Sequence, residues 1–486
     1  MRPSRGVARH VAALWACAWL LVPGGLRAQA VRGHLAEQVD AVFAEYDRTD
    51  HPGASVVVVR DGRVIHMDGY GMADLDQAIA VTGSSVFDIA SVSKHFTAFA
   101  ITTLAQRGLL SLDDPIDRWM PEIPTHGQRV TVRHLLHHVS GIRDWVELFA
   151  VAGWRFDDVI TVPDVFILAE HQAALNFAPG SAYAYSNTGY NILAEIVARA
   201  SDASFRDWMQ REVFGPLGMS HTHIHDTYNE VVPRRARSYG PDASGDWEIL
   251  VNNTSAVGSS SVFTTAEDFA KWLANFDHPE VGDDVLTRML ARGVLTTGDT
   301  IPYASGLGIG SYRGLRTISH GGSWRGYRSH LLRFPDEKLT VAVFANFSTF
   351  RSGETAQRVA DVFLEGRIEP RADEEGGANG SSSFFEERDP EPTSISGDAL
   401  RKYEGTYFSD ELGTFYSIAR EDDGLAAHHR INPSSTMTYL GEDTFVMPGV
   451  RGRQTLSFFR EGDQVVGYRL AGRRFRGIVF RRVPEG

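Results

Sequence analysis

An acidic segment rich in glycine, serine and proline divides this chain and limits its fold more than any other feature. Residues 367–396 contain the run Glu-Glu-Gly-Gly-Ala-Asn-Gly-Ser-Ser-Ser and then an acidic stretch with two prolines. Such a composition buries too little apolar surface to order itself. We therefore interpret residues 367–396 as a linker between two folded parts, residues 31–366 and 397–486. A chain of 486 residues is also too long for one ordinary domain.

The first part mixes helical and strand patterns. Residues 54–60 and 63–67 predict two strands, and the Asp61-Gly62 pair between them suits a type I′ turn. We predict helices at 93–106 and 190–200, a helix opened by a capping box at 264–267, and a buried strand at 340–344. Early and late strands around helices favour an α/β (α+β) fold, with an antiparallel sheet beside a helical region.

The second part alternates in the manner of short β-strands. We predict strands at 403–408, 415–419, 436–440, 455–460 and 465–470. They indicate a small all-β barrel or sandwich. The run Arg473-Arg474-Phe475-Arg476 reads as a further strand. It suits either an anionic ligand or a solvated strand face, and we favour the solvated face.

Residues 1–30 have the layout of a cleavable signal peptide. Three arginines lie within the first nine residues, an apolar run covers 11–22, and small residues allow cleavage after Ala28 or Ala30. The apolar run is short for a membrane span, which needs about 20 residues. We therefore expect an exported protein, secreted or periplasmic, with no membrane span after cleavage.

The charge and the cysteine count exclude several classes of protein. The net charge of −13 disfavours nucleic-acid binding, which needs basic surface. The single cysteine, Cys17, lies in the predicted signal peptide, so disulfide scaffolds, cysteine zinc sites and a thiol mechanism are excluded for the mature chain. A lipid anchor on Cys17 is the rival interpretation, and Trp15 nearby disfavours it.

The segment around Ser91 has the strongest chemical pattern. A strand-like entry at residues 87–90 delivers Ser91 to a helix start, and Lys94 follows one turn later on the same face. A serine is a poor nucleophile without a base, and a lysine in a dry site can lose enough pKa to be that base. The alternative is that Ser91 only caps the helix.

Two further segments strengthen this hypothesis. Tyr185 and Asn187 form a Tyr-x-Asn pair, in which the phenol could relay the proton of Ser91 and the amide could orient Lys94 and the substrate. Residues 319–327 follow, with His320, Gly321, Gly322 and Ser323. The two glycines would let a substrate backbone approach a strand edge. The backbone N–H groups of Ser91 and Ser323 would form an oxyanion hole.

The order Ser-x-x-Lys, Tyr-x-Asn, His-Gly-Gly resembles the serine β-lactamase and penicillin-binding-protein-like family. Within it, the chain is similar to the branch of class C β-lactamases, D-Ala-D-Ala carboxypeptidases, D-aminopeptidases and esterases. The segments 108–115, 135–141, 216–219 and 265–268 carry the same resemblance. It covers about residues 40–365, and some relatives add a lipocalin-like β domain.

The resemblance implies a role for each matching residue. Ser91 would be the acylated nucleophile, Lys94 and Tyr185 the proton-transfer pair, and Asn187 an orienting group. His320 and Gly322 would line the strand edge where the substrate docks. The resemblance also implies a β-lactamase-like fold, a peptide, ester or β-lactam substrate, and no metal or organic cofactor. It leaves the substrate and the oligomeric state open.

One departure from the pattern bears on the substrate. β-Lactamases of this branch usually have a lysine where His320 stands, and that lysine helps to hold the substrate carboxylate. A neutral histidine attracts a carboxylate much less, so peptidase or esterase activity is favoured over β-lactamase activity. Arg325 and Arg328 could clamp the carboxylate instead, although a surface role is the alternative for each.

Other interpretations remain open at this point. His134, His137 and His138 have helical i, i+3, i+4 spacing that could hold a metal, although the family segment at 135–141 makes this a minor alternative. The protein could also be a non-catalytic sensor or cell-wall-binding protein, which the intact Ser91, Lys94 and Tyr185 disfavour. In a third interpretation, the β domain binds a partner and the hydrolase activity is incidental.

Overall fold

A six-stranded antiparallel sheet is the centre of the first part in the computed structural model, which describes residues 24–370, 391–422 and 424–484. In spatial order its strands are β10 (Gly308–Tyr312), β11 (Leu315–Trp324), β12 (Tyr327–Phe334), β13 (Leu339–Ala345), β1 (Ala54–Arg60) and β2 (Arg63–Tyr70). Asp61 and Gly62 have φ values of 48° and 72°, as the predicted type I′ turn requires.

Helices cover both faces of this sheet. Val56 and Val58 of β1 pack against the first and the last helix of the first part, whereas Val57 and Val59 face the larger helical region on the other side of the sheet. Both faces of β1 are therefore buried, which explains its continuous valine run. The helices are α1 (Gly24–Phe43), α2 (Lys94–Gln106), α3 (Val132–Leu136), α4 (Trp145–Ala152), α5 (Val162–Glu170), α6 (Asn187–Ser201), α7 (Phe205–Met209), α8 (Ala266–Ala274), α9 (Val285–Met289) and α10 (Ser352–Phe363).

Smaller sheets connect the central sheet to the helical region. The most important has the order β5-β9-β6 and consists of β5 (Phe87–Asp88), β9 (Val262–Thr264) and β6 (His223–Ile224). The other two pair β3 (Met72–Asp74) with β4 (Ile79–Ala80), and β7 (Tyr239–Pro241) with β8 (Trp247–Ile249). The predicted α/β (α+β) layout with an antiparallel sheet is confirmed, and the predicted helices appear as α2, α6 and α8.

The second part is a closed antiparallel barrel that follows the short helix α11 (Gly397–Leu400). Its strands are β14 (Gly405–Ser409), β15 (Thr414–Glu421), β16 (Gly424–His428), β17 (Ser435–Gly441), β18 (Thr444–Gly449), β19 (Gly452–Glu461), β20 (Gln464–Ala471) and β21 (Ile478–Arg482). The all-β prediction is confirmed, although β16, β18 and β21 were missed. Thr393, at the end of the predicted linker, already bonds Tyr439 O through its backbone N–H at 2.9 Å.

Two predicted segments fall partly outside the described residues. These are residues 1–23 of the predicted signal peptide and residues 371–390 of the predicted linker. Helix α1 begins at Gly24, within the predicted signal peptide. Among the described residues, no helix combines the length and the apolar character that crossing a bilayer would require.

The barrel docks on helix α4 of the first part. Apolar side chains of α4 and of the barrel belong to one continuous buried cluster. Tyr416 donates its hydroxyl to Val151 O at 3.0 Å, and Asn432 donates its amide to Ala150 O at 2.8 Å. Arg143 and Glu411, both buried, form an ion pair across the interface. The two parts therefore share a core at the segment that leads into the site described next.

Candidate active site

Ser91 lies in a tight turn between strand β5 and helix α2. Residues Ala90–Ser93 form a 3-10 turn, and α2 begins directly at Lys94. Ala90 has a φ of 47°, in the left-handed region that non-glycine residues seldom adopt. Asp88 stabilises this conformation because its Oδ1 accepts the Ala90 N–H at 2.8 Å. The fold thus imposes an unfavourable backbone conformation next to Ser91, a common feature of functional sites.

Gly322 of β11 lets this turn pack against the central sheet. A Cβ at this position would lie 2.4 Å from Ile89 O and 2.1 Å from Ser329 Oγ. The Ser329 hydroxyl also donates to Ile89 O at 2.6 Å. The sequence suggested that both glycines leave room for substrate, but the room beside Gly322 is filled by the Ser91 turn. A side chain at 322 would displace the Ser91 turn.

Lys94 is completely buried beside Ser91. Its Nζ lies 3.2 Å from Ser91 Oγ, 2.7 Å from Asn187 Oδ1 and 2.7 Å from the carbonyl oxygen of Ser259. Burial holds the pKa of Lys94 well below its usual value, Arg474 lowers it further, and Asp144 opposes the shift. A lysine with a lowered pKa can accept a proton near neutral pH, which a general base requires.

Tyr185 is the third member of the group around Ser91. Its phenol is within hydrogen-bonding reach of the Ser91 hydroxyl. The Lys94 ammonium nitrogen lies 4.8 Å from the centre of its ring. Burial raises the pKa of Tyr185, so the phenol keeps its proton near neutral pH. The proton-relay role expected from the sequence then takes one direction: Tyr185 is suited to donate a proton, not to act as a phenolate base.

Asn187 connects Lys94 to a buried carboxylate and an arginine of the barrel. Its Nδ2 donates to both oxygens of Asp144, at 3.1 and 3.0 Å. Asp144 is fully buried and accepts from Arg474 Nη1 at 2.8 Å. The Arg474 guanidinium also lies 4.7 Å from the centre of the Tyr185 ring. A chain of polar contacts therefore runs from the nucleophile to the barrel.

The position of Arg474 corrects the interpretation of the arginine-rich run at residues 473–476. Arg473, Arg474 and Arg476 do not lie on a strand, because β20 ends at Ala471 and β21 begins at Ile478. They lie in the intervening loop, which reaches into the first part. Arg473 and Arg476 are exposed, as the solvated reading predicts, but Arg474 is not. The loop is fixed by Asn176, which accepts the Arg476 N–H at 2.8 Å and donates to Arg474 O at 3.0 Å.

Strand β11 has a free edge beside the turn of Ser91. The neighbouring strand β10 pairs with β11 only as far as Ser319. Trp324 and Tyr327 flank a two-residue turn and form its hydrogen-bonded pair, so the backbone N–H of Ser323 points to the free edge. This orientation supports the oxyanion-hole prediction for Ser323 and Ser91.

His320 is a buried, neutral group. Its Nδ1 lies 2.7 Å from Gly321 O, and its Nε2 lies 3.0 Å from the hydroxyl of Tyr303. The carbonyl can only accept, so these partners assign the ring proton to Nδ1. Burial, reinforced by Lys94, lowers the pKa of His320 to about 3. His320 therefore lacks the charge that a substrate carboxylate would need.

Arg325 and Arg328 stabilise the turn at the end of β11. Arg325 has a φ of 50° in that turn and donates through Nε to Val251 O at 2.8 Å. Arg328 Nη1 donates to the carbonyl oxygens of Arg325 and Tyr327, at 2.9 and 2.8 Å. Both side chains thus have backbone partners that account for their positions, and Arg474 is the arginine beside Tyr185.

His134, His137 and His138 do not lie on one face of a helix. Helix α3 ends at Leu136, and His138 has a φ of 58°. Within the described chain, the rings have separate partners. Thr131 N–H bonds His134 Nδ1 at 3.3 Å, and Ser186 N–H bonds His138 Nδ1 at 3.1 Å. The helical spacing of the sequence therefore does not create a metal site.

Three groups of the site were missed by sequence reasoning. Asp144 and Arg474 meet across 330 positions, and the Ser259 carbonyl is a backbone group, so no local pattern indicated them. The only available signal for Arg474 was the arginine-rich run itself. For Asp144 it was its position as the N-cap of α4, where it accepts the Val146 N–H at 2.9 Å.

A serine hydroxyl held by a buried lysine and a tyrosine is the arrangement of the active-site-serine class of proteins. The chain belongs to the Beta-lactamase family, whose sequence pattern matches residues 34–363. It is 29% identical over 311 residues to penicillin-binding protein 4* of Bacillus subtilis (strain 168), covering 60% of this chain and 67% of the relative. It is 28% identical over 323 residues to a D-aminopeptidase of Gluconobacter oxydans (strain 621H), covering 66% of this chain and 60% of the relative.

A solved structure extends the likeness in fold beyond the family segment. The octameric penicillin-binding protein homologue from Pyrococcus abyssi superimposes with a TM-score of 0.60 at 22% identity. The match covers 92% of this chain and 99% of that chain. The predicted β-lactamase-like fold is therefore confirmed.

Proposed function

We propose that this protein is a serine hydrolase that cleaves an amide or ester bond through an acyl-enzyme on Ser91. The observation that carries the proposal is the buried Lys94, whose Nζ contacts Ser91 Oγ at 3.2 Å and Asn187 Oδ1 at 2.7 Å. Membership of the Beta-lactamase family supports it. We expect a peptidase for peptides with D-residues, or an esterase, with β-lactamase activity as the alternative.

The reaction follows from the protonation states of the three side chains. Neutral Lys94 takes the proton of Ser91, and Ser91 Oγ forms a bond to the carbonyl carbon of the substrate. The carbonyl electrons move to the oxygen, which receives hydrogen bonds from the backbone N–H groups of Ser91 and Ser323. Tyr185 then gives its proton to the leaving nitrogen or oxygen as the bond to carbon breaks. Protonated Lys94 returns the proton to the Tyr185 oxygen.

Hydrolysis of the acyl-enzyme uses the same groups in reverse. A water molecule gives one proton to neutral Lys94 and attacks the acyl carbon. The bond from carbon to Ser91 Oγ breaks, and Ser91 recovers a proton from the protonated base. The cycle consumes one water and needs no metal or organic cofactor.

The charges around the site bear on the substrate. With a pKa of about 3, His320 is neutral at any pH where the enzyme would act, so it offers a substrate carboxylate little attraction. Aromatic rings of Tyr183, Tyr185 and Tyr303 lie close together beside His320. This apolar surface favours an aromatic or aliphatic substrate group. Similarity to a D-aminopeptidase supports an amide of a D-residue.

A substrate panel tests the proposal directly. Purified protein would be assayed with p-nitrophenyl esters, with D- and L-aminoacyl anilides, and with nitrocefin. We expect turnover of an ester or a D-aminoacyl anilide and at most slow turnover of nitrocefin. A fluorophosphonate probe should label Ser91. Absence of both labelling and turnover would favour the non-catalytic sensor or cell-wall-binding protein.

We also propose that the protein is exported, which the pattern of residues 1–30 supports. Expression of the full chain in a bacterial host, followed by fractionation and N-terminal sequencing, tests this proposal. We expect a product that begins at Gln29 or Val31, after cleavage at Ala28 or Ala30. An uncut product that stays in the cytoplasm would contradict it.

A further inference from the structure

A cluster of metal-ligating side chains lies on the small sheet β5-β9-β6, outside the group around Ser91. His223 of β6, His225 just beyond it and Glu230 place their ligand atoms within 4.8 Å of one another. His225 Nδ1 lies 3.7 Å from Glu230 Oε2, and His223 Nε2 lies 3.9 Å from the same oxygen. Residues two apart on an extended segment face the same side, so the two imidazoles converge.

Three ring nitrogens of this cluster are buried and lack hydrogen-bond partners among the described residues. His225 is 1% exposed, and both of its ring nitrogens are buried without a partner. His223 Nε2 is also buried and unpartnered. Leaving a buried polar atom unpaired is energetically unfavourable. The backbone N–H of His225 donates to Ser261 O at 2.8 Å, so it is the imidazole of this residue that is without a hydrogen-bond partner.

The charges prepare these groups for a cation. Burial, with Arg235, lowers the pKa of His225 to about 4, and burial also lowers the pKa of His223. Both rings are therefore neutral near pH 7, which is the form that binds a metal. Glu230 is ionised, because hydrogen bonds from Arg206 lower its pKa.

Arg206 has the geometry of an outer-shell partner. It holds Glu230 with two hydrogen bonds of 2.7 Å, one to each carboxylate oxygen. A carboxylate oxygen has two lone pairs, so Oε2 can accept from Arg206 and still face the imidazoles. Ligating carboxylates are commonly oriented in this way. Arg235, stacked on Phe263 at 4.9 Å, opposes a cation and limits its affinity.

We propose that His223, His225 and Glu230 bind a divalent transition metal of the zinc class, with a water as the fourth ligand. Zinc bonds to nitrogen and oxygen are about 2.0–2.2 Å long, so tetrahedral ligand atoms lie about 3.3–3.5 Å apart. The imidazole–carboxylate separations of 3.7 and 3.9 Å need a closure of only a few tenths of an ångström. The two imidazole nitrogens, which lie within 4.8 Å of each other, need a closure of up to about 1.5 Å. Side-chain rotations of His223 and Glu230, which are partly exposed, supply both closures.

The position of the site gives it a stabilising role. His223 pairs with Phe263 of β9, and Thr264 of β9 pairs with Phe87 of β5, the strand that leads to Ser91. The same segment carries Ser259, whose carbonyl accepts from Lys94. A bound ion would brace the sheet that positions Ser91 without touching the reacting atoms.

Zinc binding and thermal unfolding of the full chain test this inference. Chelator-treated protein would be dialysed, titrated with ZnCl₂ at pH 7.5 by calorimetry, and melted with and without zinc. We expect one zinc per chain and a rise in Tm of about 3–6 °C at a hundredfold excess over Kd. Co²⁺ should give the visible absorption of a tetrahedral site.

Single variants separate this site from adventitious binding. His223→Gln should lose the zinc-dependent rise in Tm and the Co²⁺ spectrum, and Glu230→Gln should weaken binding at least tenfold. His221→Ala, which changes an exposed histidine two residues upstream, is the matched control and should behave as wild type. His223→Gln avoids the fully buried His225, so a folded variant is expected. Equal zinc binding in wild type and His223→Gln, or no binding by wild type, would overturn the inference.

Discussion

Arg474 of the barrel donates a 2.8 Å hydrogen bond to Asp144 of the first part, 330 positions away in the sequence. Asp144 in turn accepts from Asn187, and Asn187 accepts from Lys94. The barrel therefore supplies the only arginine that pairs with Asp144 at hydrogen-bonding distance among the described residues. Its docking is part of the electrostatics of the site.

Replacing Arg474 should shift the pH dependence of activity. Asp144 raises the pKa of Lys94 and Arg474 lowers it, so Arg474→Ala should raise the pKa of Lys94. Lys94 must be neutral to act as a base, so the acidic limb of kcat/KM should move to higher pH. Activity on that limb should fall about tenfold per unit of pKa. Breaking the buried pair should also destabilise the fold by about 3–5 kcal/mol.

Matched variants distinguish this effect from simple loss of structure. Arg474→Lys keeps the charge and should recover part of the profile, and Arg476→Ala changes an exposed neighbour and should leave it unchanged. A rise in KM at an unchanged pH profile would instead mean that Arg474 contacts the substrate. Among the described residues, other charged or titratable groups that face Lys94 or Asp144 include His138, Glu147, Tyr185, Tyr190, His320, Arg451 and Arg473.

Ser91→Ala should abolish hydrolysis and leave the fold intact. The substitution removes only the Ser91 hydroxyl, which lies beside Lys94 and Tyr185. Losing the nucleophile of a covalent mechanism lowers the rate by many orders of magnitude. Steady-state rates and circular dichroism would be compared with Ser244→Ala, a change at an exposed serine. If the Ser91 variant kept more than about a tenth of the wild-type rate, Ser91 would be removed from the mechanism.

His320→Lys should favour substrates that carry a carboxylate, such as penicillins or D-Ala-terminated peptides. The native imidazole is neutral because burial lowers its pKa to about 3, so the wild-type preference should not vary with its ionisation between pH 6 and 9. A lysine would add a charge-assisted hydrogen bond worth about 1–3 kcal/mol in kcat/KM. Its ammonium would lie near Lys94, which limits the gain.

The measurement for His320 is the ratio of kcat/KM for carboxylate-bearing and neutral ester substrates. His320→Gln is the control, since its amide can still bond Tyr303 without adding charge. An unchanged ratio in a folded His320→Lys variant would place the carboxylate subsite elsewhere, with Arg325, Arg328 and Arg474 as the candidates.

Deleting residues 397–486 should impair both stability and turnover. The deletion exposes the apolar side chains of α4 that pack on the barrel and leaves Arg143 and Asp144 without Glu411 and Arg474. We expect at least the loss of activity predicted for Arg474→Ala, together with a lower Tm. Full turnover by a folded truncated protein would support the interpretation in which the hydrolase activity is incidental to the barrel.

Chelators and thiol reagents should leave the initial rate unchanged. Cys17 is the only cysteine, and the proposed chemistry uses Ser91, Lys94 and Tyr185. EDTA should lower the Tm if the histidine cluster holds zinc, while kcat at 25 °C stays constant. A loss of kcat in EDTA that zinc reverses would indicate a metal in the reaction itself.

Local patterns predicted most of the fold and the centre of the site. Ser91 and Lys94 are one helical turn apart, and Tyr185 and Asn187 share one loop, so spacing alone put each pair on a common surface. The order of the segments, through the family resemblance, then joined them. The type I′ turn at Asp61 and Gly62 was predictable because its requirement for positive φ is strictly local.

The remaining parts depend on contacts that spacing does not encode. Arg474 was assigned to a solvated strand because a run of arginines looks the same on such a strand and on a loop that folds against another domain. His320 was already interpreted as a neutral group, but the lowering of its pKa by burial becomes known only with the tertiary structure. Two histidines separated by one residue place their side chains on the same face of a strand, so the sequence did contain a signal for His223 and His225. Glu230 reaches them through a loop, which no spacing rule predicts.

The shared use of Asp144 has a consequence for the whole molecule. By thermodynamic reciprocity, the free energy with which a docked barrel orders Asn187 and Lys94 equals the free energy with which an ordered site retains the barrel. A covalent adduct on Ser91 that locks these side chains is therefore also a ligand for the interface between the two parts. The acylated protein should therefore hold its barrel at denaturant concentrations that release it from the free protein.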